Sequence, residues 1–134
     1  MKGVPMAIRS DHEHLRTAED AMSRWIVGAA TGDWSGLLAV LDPAVTFHVP
    51  VAGFEGMQHG VDAAARFFAR LADTIRADLR VLSTLTDRAR NGFEVAVTGT
   101  LHGEPFTQRL FLVFETRDGV VREFGEYLAW PMSR

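Results

Sequence analysis

The stretch Phe93-Glu94-Val95-Ala96-Val97-Thr98-Gly99-Thr100-Leu101-His102-Gly103-Glu104-Pro105-Phe106-Thr107-Gln108-Arg109-Leu110-Phe111-Leu112-Val113-Phe114 decides how this chain folds. Side chains of a strand alternate between its two faces. Phe93, Val95, Val97, Gly99 and Leu101 therefore share one face, and Glu94, Ala96, Thr98, Thr100 and His102 the other. Beyond a His102-Gly103 turn, Phe106, Gln108, Leu110, Leu112 and Phe114 oppose Thr107, Arg109, Phe111, Val113 and Glu115. One face of each run is almost wholly apolar, the pattern of antiparallel strands lying against a core. Phe111 and Val113 make the opposite face more apolar than water requires, so a second partner is expected there.

Working outward, Asp118-Gly119 is a hairpin signal that leads into a last strand from Val120 to Trp130. Upstream, Arg76 to Thr86 alternates loosely and Asn91-Gly92 reads as a turn. The first half of the chain has helical spacing instead. Ser10 with Glu13 fits a capping box, after which Leu15, Ala18, Met22, Trp25, Ile26 and Ala29 recur on one face until Gly32. Asp33 caps a short second helix, and Val45, Phe47 and Val49 alternate in a strand closed by Pro50. A short strand fits Phe54 to Met57, and a third helix, from Val61 to about Ala72, turns Ala64, Ala65, Phe68 and Leu71 inward. Helices first and a strand meander afterwards predict an α+β domain with helices on one face of the sheet. Residues 1–9 read as a flexible tail and residues 10–134 as a single domain.

Composition narrows the function. The chain has 134 residues, no cysteine and a formal net charge of −3, and its Lys and Arg form no run. Disulfides and thiolate chemistry are therefore excluded, and neither nucleic acid nor an anionic membrane is expected as partner. Met1 to Ser10 lacks the apolar stretch of a leader peptide and no segment is long enough to span a bilayer, so a cytoplasmic location is the expectation.

With the elements placed, the chain resembles the SnoaL-like branch of the nuclear transport factor 2-like superfamily. Its relatives include polyketide cyclases, ketosteroid isomerases and limonene epoxide hydrolase. The resemblance rests on Trp25, on Gly32-Asp33-Trp34 and on Leu41-Asp42-Pro43-Ala44-Val45-Thr46-Phe47-His48-Val49-Pro50. It continues through Gly60, Ala63-Ala64 and Phe67-Phe68 to Asp118-Gly119-Val120-Val121 and Glu126-Tyr127. It implies a cone: a curved, mostly antiparallel sheet wrapped around three N-terminal helices, with an apolar pocket at the open end. It also implies a homodimer through the outer sheet face, which suits Phe111 and Val113. Ketosteroid isomerases carry a base, a Tyr and a protonated Asp at positions matching Val49, Trp25 and Leu110, so that mechanism is not expected. The Arg and Asp that limonene epoxide hydrolases place two apart on one strand fall on Phe93 and Val95. SnoaL-type cyclases rely on one acid of the last strand, and Glu126 matches it, with Glu in place of Asp.

Alternation independently puts Glu126 on the apolar face with Phe124, Leu128 and Trp130. A carboxylate there is paired, kept neutral by a raised pKa, or used. Either it is a general acid/base, or it pairs with Arg122, Arg109 or a helix residue. Gln108 either orients a ligand carbonyl or bonds backbone. Trp25, Phe47, Val49, Phe68, Phe93 and Val95, with Gln108, Leu110, Phe124 and Leu128, are the expected pocket lining, although aromatics at such spacing also build plain core. Among the histidines, His48 points to the outer face by alternation, His59 lies in a loop near the expected pocket mouth, and His12 and His14 read as surface residues. No metal site and no cofactor are expected. The expected function is cofactor-free acid/base isomerisation, cyclisation or dehydration of an apolar carbonyl-containing small molecule. The alternative is a ligand-binding or dimerisation module without chemistry.

Overall fold

The structure, a computed structural model, describes residues 6–131. Helix α1 (Met6–Thr31) buries Ala18, Ala21, Met22, Trp25 and Ala29 along one stripe. It starts four residues ahead of the Ser10 capping box, so residues 6–9 extend the helix instead of forming a tail; residues 1–5 lie outside the described part. Gly32 stops it with φ +82° and an N–H bond to the Gly28 carbonyl, a left-handed end that glycine adopts without strain. Asp33 then accepts from the Ser35 N–H and hydroxyl and opens the short α2 (Ser35–Leu38). Strand β1 (Leu41–His48) follows, and the short strand that pairs with it is β2 (Gln58–His59), beyond the expected Phe54–Met57. In α3 (Val61–Thr74) the buried residues are Ala63, Ala64, Phe67, Phe68 and Leu71, whereas Ala65 faces out.

Four long strands complete the chain: β3 (Ile75–Asp87), β4 (Arg90–Leu101), β5 (Glu104–Arg117) and β6 (Val120–Leu128). The sheet order is β2-β1-β6-β5-β4-β3, antiparallel throughout except for the parallel β1–β6 pair. Helix α1 touches β3, β4, β5 and β6, so the sheet curls around it. The helices are mainly N-terminal, α3 falling after β2, and the α+β reading stands. Among the described residues no helix is long and apolar enough to cross a membrane.

Two readings of the strands change. The β3–β4 turn is Arg88-Ala89, with Arg88 at φ 55°, and not Asn91-Gly92. Asn91 is buried in β4 and donates to the Arg88 carbonyl at 3.2 Å, holding that turn from beneath. Gly92 lies under the Phe111 ring, where a Cβ would come within 2.2 Å; its signal is close packing, not a turn. The other change is Arg122, which alternation from Phe124 and Glu126 puts on the helix-covered face. The β5–β6 register slips between Glu115↔Glu123 and Thr116↔Val121, making Arg122 the extra residue of a bulge. Val121 thereby turns inward, while Arg122 leaves the helix-covered face and meets Glu115 at 3.5 Å outside.

The core is aromatic at its closed end. Trp25 stands edge-on to Trp34, Phe68, Phe114 and Phe124, with ring centroids 5.2–6.0 Å away. Trp34 stacks on Phe68 at 4.8 Å and presses against Gly28 of α1. A Cβ at Gly28 would sit 2.3 Å from the Trp34 ring. Gly28→Ala should therefore lower stability by about 1–3 kcal/mol through overpacking, although alanine is the better helix former by about 1 kcal/mol. Urea unfolding of both proteins measures it; a variant as stable as wild type would mean that Trp34 yields freely.

Candidate functional site

Between the helices and the far strands lies a cavity of about 330 Å³, at the lower end of the range for small-molecule sites. Trp25, Trp34 and Leu71 wall it from the helices and their loop, Val97 and Leu110 from β4 and β5. All five are buried residues, so this part of the wall is apolar. Loop residues Pro50, Val51 and Ala52 close one side; Ile75, Leu79, Leu101 and Phe106 close the other. The mouth is marked by residues that are exposed yet line the cavity: Pro50, Ala52, Arg70 and His102. His102 is carried there by the β4–β5 turn, whose N–H bonds the Thr74 carbonyl at the end of α3 at 2.8 Å.

Glu126 lines this cavity from β6, opposite Leu112 of β5, with Phe124 buried beside it. Part of its surface stays accessible, and the cavity is the space from which it is reached. Among the described residues none donates a hydrogen bond to its carboxyl or pairs with its charge. The cations that alternation left as candidates are engaged on the outer face: Arg109 with Glu94 at 3.6 Å and Arg122 with Glu115. Burial without a partner disfavours the carboxylate. It pushes Glu126 up to about 7.

Gln108 also lines the cavity, but its amide holds backbone. Nε2 donates to the Trp130 carbonyl at 3.0 Å and Oε1 accepts from the Arg109 N–H at 2.9 Å. With the Ala129 N–H bonded to the Arg109 carbonyl, this clasps the end of β6 across β5. The indole N–H of Trp34 is buried, with no hydrogen-bond partner among the described residues.

Of the expected lining, Trp25, Gln108, Leu110 and Leu128 are in the wall with Glu126. Phe47, Val49, Phe68, Phe93, Val95 and Phe124 are not: they are core. Phe47 stacks on Phe124 at 4.8 Å, Phe68 on Phe124 at 5.7 Å, and Phe93 tilts against Phe114 at 6.1 Å. These rings fill the closed end, leaving space only where β3, β4 and β5 run on beyond the helix packing. Sequence reasoning missed Arg70, Thr74, Leu79 and His102; the signal for His102 was its hairpin turn, which must lie at a strand end. His48 packs edge-on to Tyr127 at 4.8 Å over Gly125 on the outer face, and His59 is exposed in β2. His14 is not a plain surface residue, because its Nδ1 meets the Thr116 hydroxyl at 2.8 Å. Among the described residues no three His, Asp or Glu side chains gather to hold a metal ion.

The chain belongs to the SnoaL-like domain family, which matches residues 22–124. Its fold is similar to that of an NTF2-like protein from Anabaena variabilis, at 22% identity and TM-score 0.82, covering 98% of this chain and 96% of that one. It is also similar to a protein from Jannaschia sp. assigned as a SnoaL-like polyketide cyclase, at 14% identity and TM-score 0.72, covering 96% and 91%. A third likeness is to an epoxide hydrolase of the limonene type from Mycobacterium tuberculosis, at 17% identity and TM-score 0.68, covering 88% and 84%. At these identities the likeness is one of fold. Among curated proteins none matches the sequence.

The raised acid has a consequence for stability. Unfolded, a glutamate titrates near 4.3, whereas folded Glu126 does so at about 7. The folded state holds this proton more tightly. Its contribution is therefore fully present below about pH 4 and lost as pH rises through the folded value. Glu126→Gln lacks that loss. It should match wild type near pH 4 and exceed it near pH 8.5 by about 1–3 kcal/mol, the figure being reduced because water reaches the carboxyl. Paired urea titrations at the two pH values measure this. A difference that does not grow with pH would mean that Glu126 ionises normally.

Proposed function

We propose that the cavity binds an apolar carbonyl-containing small molecule and that Glu126 moves a proton on it without a cofactor, in an isomerisation, cyclisation or dehydration. The observation that carries this reading is one acid, unpaired among the described residues, in the wall of an apolar cavity, its pKa raised by burial to about 7. A group with that value populates both forms at neutral pH. As the carboxylate it takes a proton from the carbon beside a carbonyl. As the neutral acid it donates to the carbonyl oxygen or to a leaving hydroxyl. An apolar guest filling the cavity would displace the water that reaches the carboxyl and strengthen each interaction inside. The positions that match the polar groups of ketosteroid isomerases carry Trp25, Leu110 and Val49. Two of these line the cavity as apolar wall and the third is core, so steroid enones are not the substrates we propose.

A second reading, a ligand-binding or dimerisation module without chemistry, is favoured by Gln108. Its amide holds the Trp130 backbone, which removes it as the second polar group acting on a substrate. In either reading we propose a homodimer through the outer sheet face, where Phe111 and Val113 are half-buried and Tyr127 is exposed. That interface should bury on the order of 1,200 Å² or more. Light scattering at micromolar concentration should give twice the chain mass, and Phe111→Glu should give the monomer.

Proton exchange separates the enzyme from the binding module. The protein in D₂O, with a panel of cyclic enones, 1,3-diketones and aromatic methyl ketones, should exchange protons beside the carbonyl of at least one, read by NMR. The rate should rise with pH through the Glu126 value of about 7 and then level off, because the carboxylate is the active form. Glu126→Gln should lose about two to four orders of magnitude in rate while still binding the compound. Binding without exchange in wild type would favour the module.

A further inference from the structure

We propose that the ligand is an amphiphilic anion: an apolar body filling the cavity, with a carboxylate docked on the Arg70 guanidinium at the mouth. This rests on the reading that the cavity holds an apolar small molecule, and it adds which chemical group that molecule turns outward.

Arg70 lines the cavity from the exposed edge of α3, one residue before the buried Leu71. Among the described residues it has no carboxylate partner. Several other arginines of the described part enter no ion pair either, but Arg70 is the arginine that lines the cavity. Arg24 pairs with Asp20, Arg90 with Glu115 and Glu123, Arg109 with Glu94, and Arg122 with Glu115. Arg76 is spent on the Ala72 and Ile75 carbonyls. Among the described residues Arg70 has only a long 3.5 Å approach to the Ala52 carbonyl and the face of Phe54, 5.7 Å from the ring centroid.

Those weak contacts aim it. The ring supports the guanidinium from one side. Gly53, at φ +95°, lies alongside: a Cβ there would be in ordinary contact with the guanidinium, 3.4 Å from its nitrogen. The side chain is thus set over the opening, with donors left over. His102, on the β4–β5 turn, offers a ring beside the same opening.

The polarity of the cavity then fixes the orientation of the guest. A carboxylate driven inward would meet apolar walls and the Glu126 carboxyl, losing hydration with no cation to replace it. At the mouth it meets a planar fork of donors that matches its two oxygens. One guanidinium balances one negative charge, so a carboxylate fits better than a phosphate dianion. The other end of the ligand, with its carbonyl, is left facing Glu126.

The test is calorimetric titration of the full chain with matched pairs: 2-naphthaleneacetic acid against its primary amide, and decanoic acid against decanamide. The naphthyl set is completed by 2-naphthylmethyl phosphate. In wild type at least one acid should bind about tenfold tighter than its amide, and 0.5 M salt should erode that margin. In Arg70→Met, which keeps a side chain over Phe54, acid and amide should bind alike; Arg70→Lys should restore part of the preference. Equal binding of acid and amide in wild type, a preference that survives Arg70→Met, or phosphate binding tighter than carboxylate would each overturn the inference. If no acid and no amide binds at all, the failure is that of the apolar-ligand reading beneath it.

Discussion

Trp25 is the constraint on which both halves of the interior depend. One indole stands edge-on to Trp34, Phe68, Phe114 and Phe124, drawing together α1, α3, β5, β6 and the loop ahead of α2. The same side chain lines the cavity. Edge-to-face pairs of this kind contribute about 0.5–1.5 kcal/mol each beyond area burial. Their geometric effect matters as much. The ring cluster plugs the narrow end of the curled sheet and stops it from closing further, so the wide end stays open by default. The cavity is the space the plug does not reach.

Placing a single acid in that space follows from strand alternation, and it costs solvation that no partner among the described residues returns. Glu126 cannot turn away without breaking the β6 register against Leu112. Its response is electrostatic: the proton stays on to higher pH. The clasp formed by Gln108 and Trp130 holds the strand end that carries it, so the position of the acid is set by backbone pairing on both sides. Gln108 thus fixes the strand end beyond the acid, whichever reading of the cavity holds.

Much of this could be read from residues. Alternation in Phe93–Leu101 and Phe106–Phe114 correctly sorted inside from outside, and the His102-Gly103 and Asp118-Gly119 turns fell where glycine signals put them. Three features escaped. Asn91-Gly92 mimicked a turn because close packing under Phe111 selects glycine as strongly as backbone geometry does. Arg122 was misplaced because period-two reasoning has no means of seeing a bulge. The aromatics were assigned to the pocket because sequence gives the face of a strand and not the depth along it. Phe47, Phe93 and Val95 share a face with Leu110, yet helix packing covers them and leaves the outer strand segments bare.

The bulge at Arg122 sets the phase of all that follows it in β6. Beyond it, Glu123 joins Arg122, Arg90, Glu115 and Thr46 in a charged lattice on the convex side, while Glu126 and Leu128 face the guest space. Lattice and acid belong to one length of strand held in one register. Their side chains point to opposite faces and can be exchanged independently. Lineages that recut the cavity for a new guest would leave the charged lattice untouched. One strand can in this way serve divergence on its concave side and constancy on its convex side.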